Sequence, residues 1–115
     1  MTEPGHTRPH EVDFIARNLL LRQGYFVVRS AGSQTPVDLV AWSPDHVLLV
    51  KTRRWRSKIE SARTVTIHFG GVIRLLQRTP APPGTKVQLW IYVDHEGWHM
   101  YDVLPGGIMG AGCHA

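Results

Sequence analysis

Apolar residues along this chain recur with two different periods, and the changes of period mark the elements. Val12, Ile15, Ala16 and Leu19 fall three or four apart, with Phe14 and Leu20 widening the stripe, which is the spacing of one helical face. Thr7 suits an N-cap, Pro9 is tolerated in a first turn and Gly24 is a natural stop, so a helix is predicted over 9–23. Residues 25–31, YFVVRSA, are rich in aromatic and β-branched side chains and read as a strand. A turn over 32–36 leads to a second strand over 37–42. Ser43-Pro44-Asp45-His46 is a further turn, and a third strand covers 47–52. The basic stretch 53–64 reads as irregular. A second helix is predicted over 66–78, with Ile67, Val72, Leu75 and Leu76 on its apolar side and Gly70-Gly71 as its weak point. After a loop over 80–84, strands are predicted over 86–93 and 98–103, joined by a turn at 94–97. This order, helix, three strands, helix, two strands, predicts one small α/β or α+β sheet domain over residues 1–104. Residues 1–7 read as a loose leader and 105–115 as a flexible Gly-rich tail.

The hairpin formed by the second and third strands carries two charges inside an apolar pattern. With Pro44 and Asp45 centring the turn, residue numbers of paired positions add to 89, so Asp38 faces Lys51 and Val40 faces Leu49. Residues 38, 40 and 42 then share a sheet face with 47, 49 and 51. Asp38 and Lys51 are thus cross-strand neighbours among Val, Trp and Leu. Two readings stand side by side: an ion pair at the sheet rim, or a carboxylate that binds a divalent cation beside a lysine that stabilises charge on a phosphate. Glu11 on the first helix is a further carboxylate within reach of that face.

Composition narrows the class of partner. The 115 residues suit one domain, and 43% hydrophobic with 19% charged residues is a globular balance. No apolar run is long enough to span a membrane, and MTEPGHTRPH lacks the pattern of a signal peptide, so a cytoplasmic location is expected. The lone Cys113 excludes an internal disulfide framework or a cysteine-based zinc site. Net charge is +4, and six of the 13 Lys and Arg residues fall between Lys51 and Arg63, around Trp55. That cluster suits phosphate contacts with base or sugar stacking, against the plainer reading of a solvated basic loop.

The helical Glu11, the run GYFVVRSAGS at 24–33, PVDLVA at 36–41 and LLVK at 48–51 together resemble the archaeal Holliday-junction resolvases, within the PD-(D/E)xK, restriction-endonuclease-like nuclease superfamily. The resemblance covers about residues 8–54. It implies a restriction-endonuclease-like α/β fold, with a mixed central sheet of about five strands flanked by helices, and Mg²⁺-dependent phosphodiester hydrolysis, with Mn²⁺ able to substitute. It also implies action on DNA, including four-way junctions in recombination and repair, by a homodimer with two sites. Carried over residue by residue, Glu11 and Asp38 are metal ligands, Lys51 assists attack of water, and Arg29 and Ser33 lie near the active site. Arg29, Ser33, Arg53, Arg54, Arg56 and Lys58 are expected to bind DNA, the cations through its phosphates. Two positions depart from the family pattern. Leu49 stands where the family has the acid of Glu-x-Lys, and Val12 follows the helical Glu in place of a basic residue. Glu60 is the candidate substitute carboxylate; otherwise Glu11 and Asp38 hold one ion with the substrate phosphate. The alternative is a catalytically inactive protein that kept the fold and binds DNA, branched or duplex, without cleaving it. A basic scaffold with no nucleic-acid role is a third reading.

Other motifs carry less. His6 and His10, and His95 and His99, have ligand-like spacing but no third ligand nearby in the sequence. The glycines at 70–71 and 106–112 lack the Lys-Ser/Thr of a phosphate loop. Trp42, Trp90 and Trp98 read as sheet or interface packing.

Overall fold

The computed structural model describes residues 11–30 and 35–114. The order is α1 (Glu11–Arg22), β1 (Phe26–Arg29), β2 (Leu39–Trp42), β3 (Val47–Trp55), α2 (Ala62–His68), α3 (Gly70–Gln77), β4 (Thr85–Val93), β5 (Gly97–Leu104) and β6 (Gly107–His114). The six strands form one sheet in sequence order. Every neighbouring pair is antiparallel except β3–β4, which is parallel and is therefore joined by the crossover α2–α3. The expected mixed α/β sheet flanked by helices is the architecture found.

Local chemistry explains the first half. α1 ends where expected. Gly24 adopts φ 93°, the amide of Tyr25 reaches back to the carbonyl of Leu20 (3.1 Å) and that of Gly24 to Leu21 (3.0 Å), the paired bonds of a Schellman cap. The proposed Thr7 cap and the 1–7 leader lie outside the described residues. The β2–β3 register matches the expected sum of 89, with Leu39 opposite Val50 and Val40 opposite Leu49. Pro44 sits in a four-residue turn closed by Ser43 N–H to the His46 carbonyl at 3.0 Å.

The two sheet faces have separate cores. Val12, Ala16 and Leu20 of α1 pack on Leu39, Ala41, Leu48 and Val50, beside Trp90, Trp98 and Met100. On the other face Val65, Phe69, Ile73 and Leu76 of α2–α3 pack on Leu89, Ile91, Val93, Tyr101 and Val103. Of the stripe read from sequence, Phe14 and Ile15 are exposed, because α1 docks along the Val12–Ala16–Leu20 line.

Three expectations change. The helix predicted over 66–78 is two helices that meet at Phe69. Ser61 Oγ caps α2 by accepting the amide of Thr64 (3.4 Å), and Gly70-Gly71 opens α3, so the glycines mark the break. β3 runs on to Trp55, because its parallel partner β4 continues to Val93. The segment expected as a flexible tail contains a sixth strand. Pro105-Gly106 makes the turn and Gly107 takes φ 152°. Gly107 through His114 then pair with β5, with a register shift at Met100/Tyr101. Glycine suggested mobility, but β5 offers an otherwise unpaired edge, and Ile108 packs against the core. Amide hydrogens from Ile108 to Gly112 should accordingly exchange at least ~10-fold more slowly than in an unstructured peptide of the same sequence, measured by hydrogen–deuterium exchange.

Candidate functional site

Asp38 lies immediately before β2, where the backbone is clamped from both sides. Its amide donates to the Val50 carbonyl and its carbonyl accepts the Ser30 amide, both at 2.8 Å. One rung beyond the Leu39–Val50 pair, this places Asp38 across from Lys51. Lys51 Nζ lies 3.4 Å from Asp38 Oδ1, and the two side chains are 19% and 21% exposed. The pair is thus at the sheet rim, within reach of solvent and of a ligand.

The second carboxylate oxygen turns the other way. Asp38 Oδ2 accepts the Thr52 amide at 2.8 Å and lies 3.1 Å from Thr52 Oγ1. Thr52 alternates with Lys51, so its side chain points to the α1 face, where its hydroxyl donates to Asp13 Oδ1. Asp13 is brought there by α1 and is only 8% exposed. Burial is the main cause that pushes its carboxyl above the usual carboxylate range. Asp38 adds to the rise, while the Thr52 hydroxyl bond, Arg29 and Lys51 oppose it.

Asp13 and Thr52 were not legible as site residues. Asp13 was hidden by the choice of stripe: it stands three and seven residues before Ala16 and Leu20, on the edge of the line that α1 buries. Thr52 continues the Leu48–Val50 alternation, so its inward position follows from the strand period once β3 is known to extend past it.

The remaining candidates divide. Arg29, at the end of β1, lies on the α1 face with its guanidinium 4.3 Å from the Phe14 ring, and its charge reaches Asp13. Arg53, Arg56 and Lys58 are exposed. Arg54 Nε pairs with Asp94 at 2.9 Å, turned toward the β4–β5 turn. Trp55 is half-buried, with its ring 4.7 Å from that of His68 and 5.3 Å from that of Phe69, so it packs under α2 where sequence suggested a stacking side chain. Leu49 is half-buried against the α2–α3 core, on the same face as Lys51. Glu60 is exposed. Glu11 is the first residue of α1; its side chain, and Ser33, lie outside the described residues. Among the described residues no group of three His, Cys, Asp or Glu side chains has the geometry to hold a metal ion. Asp38 and Asp13 together still offer the hard oxygen donors that suit Mg²⁺, which binds through one or two carboxylates and completes its shell with water and phosphate.

No protein-family model matches the chain, and no curated protein matches it. Among solved structures it is similar to Hjc of Archaeoglobus fulgidus, a Holliday junction resolvase from an archaeal hyperthermophile. The TM-score is 0.48 at 15% identity, over 81% of this chain and 75% of that one. Among the described residues no helix is long and apolar enough to cross a membrane.

The raised Asp13 carboxyl has a consequence for stability. The folded state holds this proton more tightly than the unfolded chain, so Asp13 contributes a loss of stability as pH rises from the ordinary carboxylate range through the raised folded value. Asp13→Asn keeps the shape and an acceptor for Thr52 without the charge. It should raise the melting midpoint by a few degrees at pH 8 and leave it unchanged at pH 3, by calorimetry on both proteins.

Proposed function

We propose that this chain is a DNA-binding protein of the restriction-endonuclease-like type, a structure-selective endonuclease that resembles Holliday-junction resolvases and acts as a homodimer. The observation that supports this reading most is the Asp38–Lys51 pair. An acid and a lysine 3.4 Å apart stand at the accessible rim of a hairpin whose next residues, Arg53, Arg56 and Lys58, are exposed cations.

In this reading Asp38, with Glu11 and Asp13 on α1, would hold Mg²⁺. When bound, the ion supplies an activated water and neutralises charge on the scissile phosphate. The chain's own groups do the rest. Lys51 Nζ leaves Asp38 for a non-bridging phosphate oxygen and stabilises the charge that grows on the phosphorane. The Thr52 amide and hydroxyl hold Asp38 in place while its partner turns away. Arg29, Arg53, Arg56 and Lys58 contact phosphates. Ser33, five residues before Asp38 in the sequence, belongs to the same proposed DNA-binding set. Arg54 needs to leave Asp94 before it can join them.

One observation favours a second reading, a DNA-binding protein that does not cleave. Leu49 fills the position of the family's second acid and packs against the α2–α3 core, so that corner of the site offers no ligand.

The test is incubation with a labelled four-way junction and a matched duplex in Mg²⁺ or Mn²⁺. Cleavage should fall by on the order of 100-fold or more in Asp38→Ala and in Lys51→Met. Junction binding that persists with no cleavage by the native chain supports the second reading, and no binding at moderate salt sinks both. Leu49→Glu should raise cleavage if the missing ligand is what limits the site.

A further inference from the structure

The face that carries Lys51 is only half covered. α2 and α3 pack across the β5–β6 side of the sheet, and α1 occupies the opposite face. β1 and β2 therefore present bare side chains on the α2–α3 side. Phe26 is 64% exposed, Val28 54% and Trp42 39%. Phe26 and Trp42 face each other across the β1–β2 ladder and stack, with centroids 5.7 Å apart and rings 21° from parallel. Val28 and Val40 pair two residues further along, toward Asp38. A cross-strand aromatic pair strengthens the β1–β2 pairing, but this one also leaves apolar surface in water that a binding partner would cover.

What covers it is indicated by what lies in line with it. Trp42, at the end of β2, and Asp38, just before its start, are on the same face of the sheet and four residues apart, about 13 Å at the usual strand rise. That is about four stacked nucleotides at the ~3.4 Å rise of a duplex strand. The Asp38 end carries Lys51 and the exposed Arg53. Cations at one end and flat apolar rings at the other are complementary to a nucleic-acid strand whose phosphates meet the cations and whose bases lie on the rings. The edges of a continuous duplex present no base face, so the bases concerned must be unpaired.

We propose that Phe26 and Trp42 form a stacking platform for unpaired bases. The DNA that engages the Asp38–Lys51 rim then carries a single-stranded segment within a few nucleotides of that rim. This rests on the reading that DNA crosses the Asp38–Lys51 rim, but its test does not depend on cleavage. Binding is measured by fluorescence anisotropy in EDTA, for a short single-stranded oligonucleotide and a duplex of the same length. Both are run against the native chain, Phe26→Ala, Trp42→Ala and Trp42→Phe. Each alanine variant should weaken single-strand binding about tenfold, the size of one lost base–aromatic stack, and change duplex binding less than twofold. Trp42→Phe should restore most of the loss. Unchanged single-strand affinity, or equal losses on both DNAs, overturns the platform. So does a native dimer that dissociates in Trp42→Ala by sedimentation, since a second copy would then cover the rings. Circular dichroism confirms folding, and Arg53→Ala, which removes a rim cation and leaves the rings intact, serves as the comparison variant. Absence of cleavage in Mg²⁺ with the stacking losses intact counts against the nuclease reading alone. If the native chain binds neither DNA, both ideas fail together.

Discussion

The pairing of Leu39 with Val50 is the constraint on which the candidate site depends. In a strand the side chains alternate, so a slip of one residue would send Lys51 to the α1 face and Thr52 to the other. The register is held because both sides of this hairpin are apolar in a matching way. Leu39, Ala41, Leu48 and Val50 are buried under α1, while Val40 and Leu49 border the α2–α3 core. Any one-residue slip breaks both matches. The chemistry at position 38 is therefore set by apolar burial several residues away, and the ion pair follows from the register more than it creates it.

Asp38 divides its two carboxylate oxygens between the two faces. One meets Lys51 at the rim and the other meets Thr52 beneath it. Thr52 in turn reaches Asp13 because α1 lies where it does, and α1 is placed by Val12, Ala16 and Leu20, each 2% exposed or less. Burying a side chain the size of Leu20 is worth roughly 1.5–3 kcal/mol, enough to carry a neighbouring acid into a setting that it would otherwise avoid. Asp13 is that acid. Its carboxyl accepts the Thr52 hydroxyl beneath the Asp38–Lys51 pair, which sets against the burial a hydrogen bond that ties α1 to β3.

Much of this was legible in the chain. The hairpin register came from Pro44 and the apolar alternation, the end of α1 from Gly24, and the Asp38–Lys51 contact from both sides of one turn. What was not legible has physical causes. Asp13 was missed because sequence spacing defines a stripe only to within a residue or two, and docking against the sheet, not periodicity, selected the line beside it. Trp55 read as a free aromatic because its basic neighbours looked like a loop, yet β4 extends β3 and α2 closes over the ring. The last strand was read as a mobile tail because glycine gives no pattern. Its pairing comes from the open edge of β5, which lies elsewhere in the sequence.

The uneven cover of the sheet bears on the meaning of Leu49. On the face shared with Lys51, Leu49 and Val40 separate the charged rim from the exposed Phe26 and Trp42. An acid at position 49 would put a charge midway along this strip, between the lysine and the rings, and a strand laid on the rings would bring its phosphates toward it. With leucine there, the strip from the rim to the platform is apolar and favours base contact over ion binding. Under the proposed reading, leucine at position 49 leaves no charge there to repel a nucleic-acid strand. Under the proposed reading, the apolar Leu49 and the exposed aromatic pair belong to one surface, and each makes the other more consistent with DNA held at this hairpin through its bases.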